Sequence, residues 1–78
     1  MMRFTTQAMR RHSGSMIPTR LTADGARWYY VIEELGKLSD GRPRYRAYVE
    51  TGDHFLDLGK GSVQLLERRC QIYERDEG

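Results

Sequence analysis

Residues 44–51 read Arg-Tyr-Arg-Ala-Tyr-Val-Glu-Thr, and this strict two-residue alternation constrains the fold more than any other feature of the chain. Successive side chains of an extended strand point to opposite faces. The alternation therefore predicts a half-buried strand, with Tyr45, Ala47, Val49 and Thr51 toward a core and Arg44, Arg46, Tyr48 and Glu50 outward. Upstream, Arg27-Trp28-Tyr29-Tyr30-Val31-Ile32-Glu33-Glu34-Leu35 is dense in aromatic and β-branched residues. These favour a strand, although Trp28, Val31, Ile32 and Leu35 would also share one face of a helix. The polarity of this strand is open. Trp28, Tyr30 and Ile32 fall on one face, Tyr29, Val31 and Leu35 on the other, and a small domain buries both only if both are covered. A polar loop with Ser39-Asp40-Gly41 at its tip joins the two strands. Five of the seven aromatic residues after Phe4 lie between Arg27 and Glu50, so excess aromatic surface is expected there.

The flanking segments fit an antiparallel sheet. Ile17, Thr19 and Leu21 alternate, and Pro18 removes a ladder donor, which predicts an edge strand. Asp24-Gly25 then signals a hairpin that pairs Ile17–Leu21 with the strand from Arg27, because both residues tolerate positive φ. After Gly52-Asp53, the segment His54-Phe55-Leu56-Asp57-Leu58 predicts a further short strand with Leu56 or Phe55 toward the core. Gly59-Lys60-Gly61 ends the sheet, and Ser62 is a suitable N-cap for a helix over Ser62–Tyr73. Val63, Leu66, Cys70 and Tyr73 recur at helical spacing as its apolar stripe. Leu65, Arg69 and Ile72 flank that stripe, and Glu67, Arg68, Gln71 and Glu74 form the polar face. Fraying is expected from Arg75 onward. Phe4–Met9 reads equally as a short strand or a turn of helix, and residues 1–15 are expected to be a flexible basic arm preceding a single domain over 16–78.

A chain of 78 residues makes one domain. At this size only about 60% of the unfolded surface is buried, which limits stability to a few kcal/mol. Cys70 is the only cysteine, which argues against a disulfide-stapled secreted scaffold and for a cytoplasmic protein. No apolar run approaches the roughly 20 residues that span a bilayer, and the N-terminus lacks the apolar stretch of a secretory signal. The net charge of +2 conceals an asymmetry. Residues 1–23 carry Arg3, Arg10, Arg11 and Arg20 and no acid, whereas from Asp24 onward nine basic residues face eleven acidic ones. A mildly acidic body weighs against non-specific nucleic-acid binding, although a local cluster can act against the global sign.

Constellations with chemical meaning are few. Gly59-Lys60-Gly61-Ser62 lacks the lysine-serine adjacency and the upstream glycine of a phosphate loop. It reads as a tight strand-to-helix connection, with Lys60 and Ser62 as a candidate anion contact at the helix start. Asp53, His54 and Asp57 alternate faces and do not converge on a metal or an acid–base pair. Glu33 and Glu34 alternate likewise, and Cys70 on the apolar stripe reads as a small buried hydrophobe. No catalytic, cofactor-binding or metal-binding residue is assigned. The candidate partner-binding residues are Arg44, Arg46 and Tyr48 with Trp28 and Tyr30, because arginine, tyrosine and tryptophan are enriched in interface hot spots and stack on unpaired bases.

From Trp28 to Tyr73 the chain resembles the strand–strand–strand–helix portion of double-stranded-RNA-binding domains. The resemblance rests on Tyr30-Val31-Ile32-Glu33-Glu34 before a long loop, Pro43-Arg44-Tyr45 opening a strand, Val49-Glu50-Thr51-Gly52, and Leu58-Gly59-Lys60-Gly61-Ser62 before the helix. It implies a βββα or αβββα arrangement. Where that family carries consecutive lysines at the start of its second helix, this chain has Val63-Gln64-Leu65, and the family's first helix has no clear counterpart here.

Together these features predict an α+β domain: an antiparallel sheet of three or four strands with one C-terminal helix packed on one face. The expected function is that of a small non-enzymatic accessory protein acting by protein–protein contact. It is read as a regulator or inhibitor of the kind common among phage and mobile-element products, with anti-CRISPR-like proteins included, and its partner as a nucleic-acid-handling complex. The alternative is a nucleic-acid-binding module that uses the Arg/Tyr sheet face and the basic arm. A self-associating homodimer is a third arrangement. No cofactor and no membrane partner are expected.

Overall fold

The computed structural model describes residues 3–10, 16–37 and 41–77. Among these residues the chain forms β1 (Thr5–Arg10), β2 (Met16–Asp24), β3 (Tyr29–Lys37), β4 (Pro43–Glu50), β5 (Phe55–Gly61) and α1 (Val63–Glu77). The strands form one antiparallel sheet in sequential order, β1-β2-β3-β4-β5. The class is α+β, as expected, with one strand more than the upper estimate.

The additional strand is β1. Thr5–Arg10 belongs to the stretch expected as a flexible arm, yet it pairs with β2 from Thr5↔Thr22 to Arg10↔Met16. Its local pattern is weak because it is held by pairing to a distant segment rather than by its own periodicity. Residues 1, 2 and 11–15 of that expected arm lie outside the described residues. β2 is thus an interior strand, but its pairing with β3 begins at Arg20, so Pro18 is paired on the β1 side alone, with the β1–β2 register shifting beside it between Gln7 and Ala8. Such an irregularity is where a strand accommodates a residue that lacks an N–H.

The β2–β3 connection falls at Asp24-Gly25, as the Asp-Gly signal predicts, but by a different mechanism. Gly25 does not adopt positive φ. It donates its N–H to the Trp28 carbonyl at 2.8 Å. Glycine is needed for closeness: a Cβ here would stand 2.8 Å from Tyr30 Cε1 and overlap the Glu74 carboxylate. Such a contact is far inside van der Waals distance, so Gly25 lets the loop lie against the end of α1.

The helix covers one face only, lying across β3, β4 and β5. The register puts Leu21, Ile32 and Ala47 in one row on that face and Ala23, Tyr30 and Val49 in the next. These residues, with Tyr45, Leu66 and Cys70, form the core, and Phe4, Trp28, Leu58, Val63 and Tyr73 pack around it. The polarity of β4 is as predicted. Leu58 is the extra residue of a bulge, since Ala47 pairs with Gly59 and Tyr48 with Asp57. Beside it, Arg69 Nη1 donates to the Leu58 carbonyl at 3.0 Å, and Gly59 N–H is taken by Asp57 Oδ1 at 2.7 Å. Gly59 has a φ of 107°, and its missing side chain leaves room for the Arg69 guanidinium.

Helix α1 begins as predicted. Ser62 Oγ accepts the Leu65 N–H at 3.3 Å, while the Ser62 carbonyl accepts the Leu66 N–H at 3.0 Å. It ends later than expected, running to Glu77 rather than fraying from Arg75. Glu74, expected on the polar face, instead accepts the Tyr30 hydroxyl at 2.9 Å and the Ala26 N–H at 2.8 Å. The Glu77 carbonyl accepts Trp28 Nε1–H at 3.4 Å. These contacts clamp the last turns to the β2–β3 loop. Among the described residues no helix is long and apolar enough to cross a membrane.

Candidate interaction surface

The sheet face opposite α1 carries no covering element among the described residues, and its side chains form three rows set by the strand register. The first is Asp24–Tyr29–Glu50–Phe55, the second Thr22–Val31–Tyr48–Asp57, the third Arg20–Glu33–Arg46–Lys60. Val31, at the centre, is fully buried although no helix lies over it. The residues across from it, Thr22 and Tyr48, close the surface around it. Tyr48 is held from two sides: its ring meets Phe55 edge-on, centroids 5.3 Å apart and planes at 83°, and its hydroxyl donates to the Glu33 carboxylate. Phe55 itself is 70% exposed.

Polar groups surround this aromatic pair. Arg46 Nε lies 3.7 Å from Asp57 Oδ2, and Arg46, Tyr48, Phe55 and Asp57 line a shallow depression of about 340 Å³. The three rows and neighbouring Arg44 together hold four basic residues (Arg20, Arg44, Arg46, Lys60) and four acidic ones (Asp24, Glu33, Glu50, Asp57). The face is therefore neutral overall, with its opposite charges interleaved.

The five candidate partner-binding residues do not form one surface. Arg44 and Arg46 are exposed and Tyr48 is half-buried on the open face. Tyr30 is a correction: it lies inside, fully buried beneath α1, its ring edge-on to Tyr73 at 6.2 Å. Trp28 is half-buried at the C-terminal end of α1, with the Arg27 guanidinium 5.0 Å above its ring. The physical reason is helix placement. α1 covers the Trp28–Tyr30–Ile32 parity of β3, which leaves Tyr29, Val31 and Glu33 on the other side.

Phe55 and Asp57 also belong to this surface, although the alternation of residues 44–51 does not point to them. Phe55 was a candidate for the core, but it pairs with Glu50 and so shares the outward parity of Tyr48. Leu56, its rival for the core, is on the helix side but at the sheet edge and remains 43% exposed. The available signal was the in-phase spacing of Phe55 and Asp57. Lys60 is exposed in the third row, and Ser62 is exposed with its hydroxyl engaged in capping. Asp53 and His54 lie exposed in the β4–β5 turn, while Asp57 is committed to Arg46 and Gly59. No protein-family model matches the chain, and no curated protein or solved structure does either.

Three groups tie stability to alkaline pH. Burial pushes the Tyr48 hydroxyl up to about 12, reinforced by its hydrogen bond to Glu33 and the charge of that carboxylate. Burial also pushes the Cys70 thiol up to about 12, with the nearby Glu67 charge adding to it. Burial raises Tyr30 further still, assisted by its bond to Glu74. Each group is a neutral acid whose proton is held more tightly in the folded state. Their contribution is complete below the ordinary thiol value of 9.0 and is lost as pH rises toward about 12. Urea denaturation midpoints are thus expected to fall steadily across that window. A level midpoint would show that these groups are not buried as described.

Proposed function

We propose that this chain is a non-enzymatic accessory protein that docks on a protein partner through its open sheet face, as a regulator or inhibitor of the type encoded by phages and mobile elements. The observation that carries the reading is the Tyr48–Phe55 pair, a large apolar ring 70% exposed on a support that is already ordered. Exposed phenylalanine costs hydration free energy in the free protein and recovers it when covered. A rigid aromatic anchor with polar residues around it matches the anatomy of a hot spot and its rim. Around the aromatic pair the interleaved charges suit a protein surface better than a phosphate backbone, because a phosphate approaching there would meet Glu33, Glu50 and Asp57 beside Arg46.

Affinity capture from the native host, read by mass spectrometry, tests this against a Phe55→Ala variant. Phe55 is mostly exposed, so the variant is expected to fold with little loss of stability. Truncating a central anchor weakens binding by about 2 kcal/mol or more, roughly thirtyfold, which is enough to remove a partner from the capture. A partner retained equally by both proteins would sink the assignment to this face.

A further inference from the structure

A second surface lies at the other end of the strands from Phe55 and differs in character. Arg42, Pro43, Arg44, Lys60, Gly61 and Ser62 line an open depression of about 450 Å³. Arg42, Arg44 and Lys60 are all exposed, and neither Arg44 nor Lys60 makes an ion pair with the described residues. The register sets Lys37 against Pro43 at this end, and Arg10 against Met16 at the corresponding end of the β1–β2 hairpin. The first turn of α1, which starts here, contains no acidic residue.

The opposite end of the sheet is acidic. Asp24, Glu50 and Asp53 flank its turns, and α1 brings Glu74, Asp76 and Glu77 to the same side, against only Arg3, Arg27 and Arg75 among the described residues. Glu34, in the row of Tyr45 and Gly61, is the acidic exception at the basic end; the other charges are sorted into a dipolar arrangement, and the helix dipole points the same way. Composition alone conceals this, because the basic positions come from β1, β3, β4, β5 and the β3–β4 loop.

We propose that the basic end is a contact site for the phosphate backbone of a nucleic acid, with Arg44 and Lys60 as principal contacts and Arg42 beside them. Three long cationic side chains on the rim of an open depression suit a succession of phosphates rather than one enclosed anion. They contribute affinity without base readout. The site lies at the far end of the same sheet from Phe55, where Arg44 and Lys60 terminate the open face. It makes a nucleic-acid-handling assembly the natural setting for both, with the protein held at Phe55 and the nucleic acid at the basic end.

Fluorescence anisotropy with short labelled single-stranded DNA, single-stranded RNA and duplex DNA tests the proposal on the full chain. Micromolar binding is expected at about 50 mM salt, with a log–log salt slope of about −2 to −3 for three phosphate contacts. Arg44→Ala/Lys60→Ala should weaken binding at least tenfold and bring the slope near −1. Both side chains are exposed, so circular dichroism should report an unchanged fold. Phe55→Ala should bind nucleic acid as the parent does, which separates failure of this site from failure of the protein-docking face. Preference among the three oligonucleotides identifies the strand form. The proposal is overturned by absence of binding at low salt, by undiminished binding in the double variant, or by equally tight binding of poly-glutamate.

Discussion

Leu66→Ala is expected to leave the domain largely unfolded. Leu66 has no exposed surface and sits among Tyr30, Ile32, Tyr45, Ala47 and Val49, where α1 meets the sheet. Truncating a leucine in such a site costs about 2–5 kcal/mol, through lost apolar burial and the cavity left behind. A single core below about 80 residues supplies roughly 3–5 kcal/mol in all, so the loss is comparable to the whole. The neighbouring Leu65 is the control. It is 42% exposed on the flank of the same helix, and Leu65→Ala should cost under about 1 kcal/mol. Thermal melts followed by circular dichroism should separate the two variants widely. Similar melting temperatures would mean that α1 is not docked through Leu66.

The second large effect is expected at Glu74. Its carboxylate accepts both the Tyr30 hydroxyl and the Ala26 N–H, joining α1 to β3 and to the loop before it. Glu74→Ala would strand the hydroxyl of a fully buried tyrosine, and losing a hydrogen bond to a charged acceptor there costs about 2–3 kcal/mol. Tyr30→Phe removes the donor but leaves the half-buried Glu74 carboxylate its bond from Ala26 N–H, so its cost should be nearer 1 kcal/mol. The two effects should be non-additive by about 1 kcal/mol in a double-mutant cycle of urea denaturation. Strict additivity would refute the bond. Loss of Glu74 should also release the β2–β3 loop, and faster amide exchange at Ala26 would register that directly.

Glu74 also shows what local pattern leaves open. On a helical wheel it belongs to the polar face, and that expectation was reasonable because nothing local connects residue 74 to residues 26 and 30. The same limit appears in β1, whose residues become a strand only by pairing with β2. It appears again at Phe55, whose parity depends on its register with Glu50 across a turn. Of the candidate surface, Arg44, Arg46 and Tyr48 were legible from one alternating octapeptide, and the open face was correctly assigned to them. Trp28 and Tyr30 were not, since both faces of that strand are apolar and their order in sequence does not rank them. The charge polarity of the molecule was the least legible feature, because it sums positions brought together by antiparallel pairing.

By itself the sequence determined the type and approximate position of β3, β4, β5 and α1, the inward and outward residues of β4, the Ser62 cap and the turn after Asp24. Each is a local matter: side-chain period, turn-forming residues and a hydroxyl within reach of the next free amides. The tertiary structure alone decided which face of β3 is covered, and hence that Tyr30 is core while Tyr29 and Val31 lie on the open side. It also decided that Glu74 is a clamp, that Thr5–Arg10 is a strand, and that basic and acidic residues part to opposite ends. These outcomes depend on where one helix lies and how five strands register. Local pattern leaves both open, and burial and pairing between distant segments settle them.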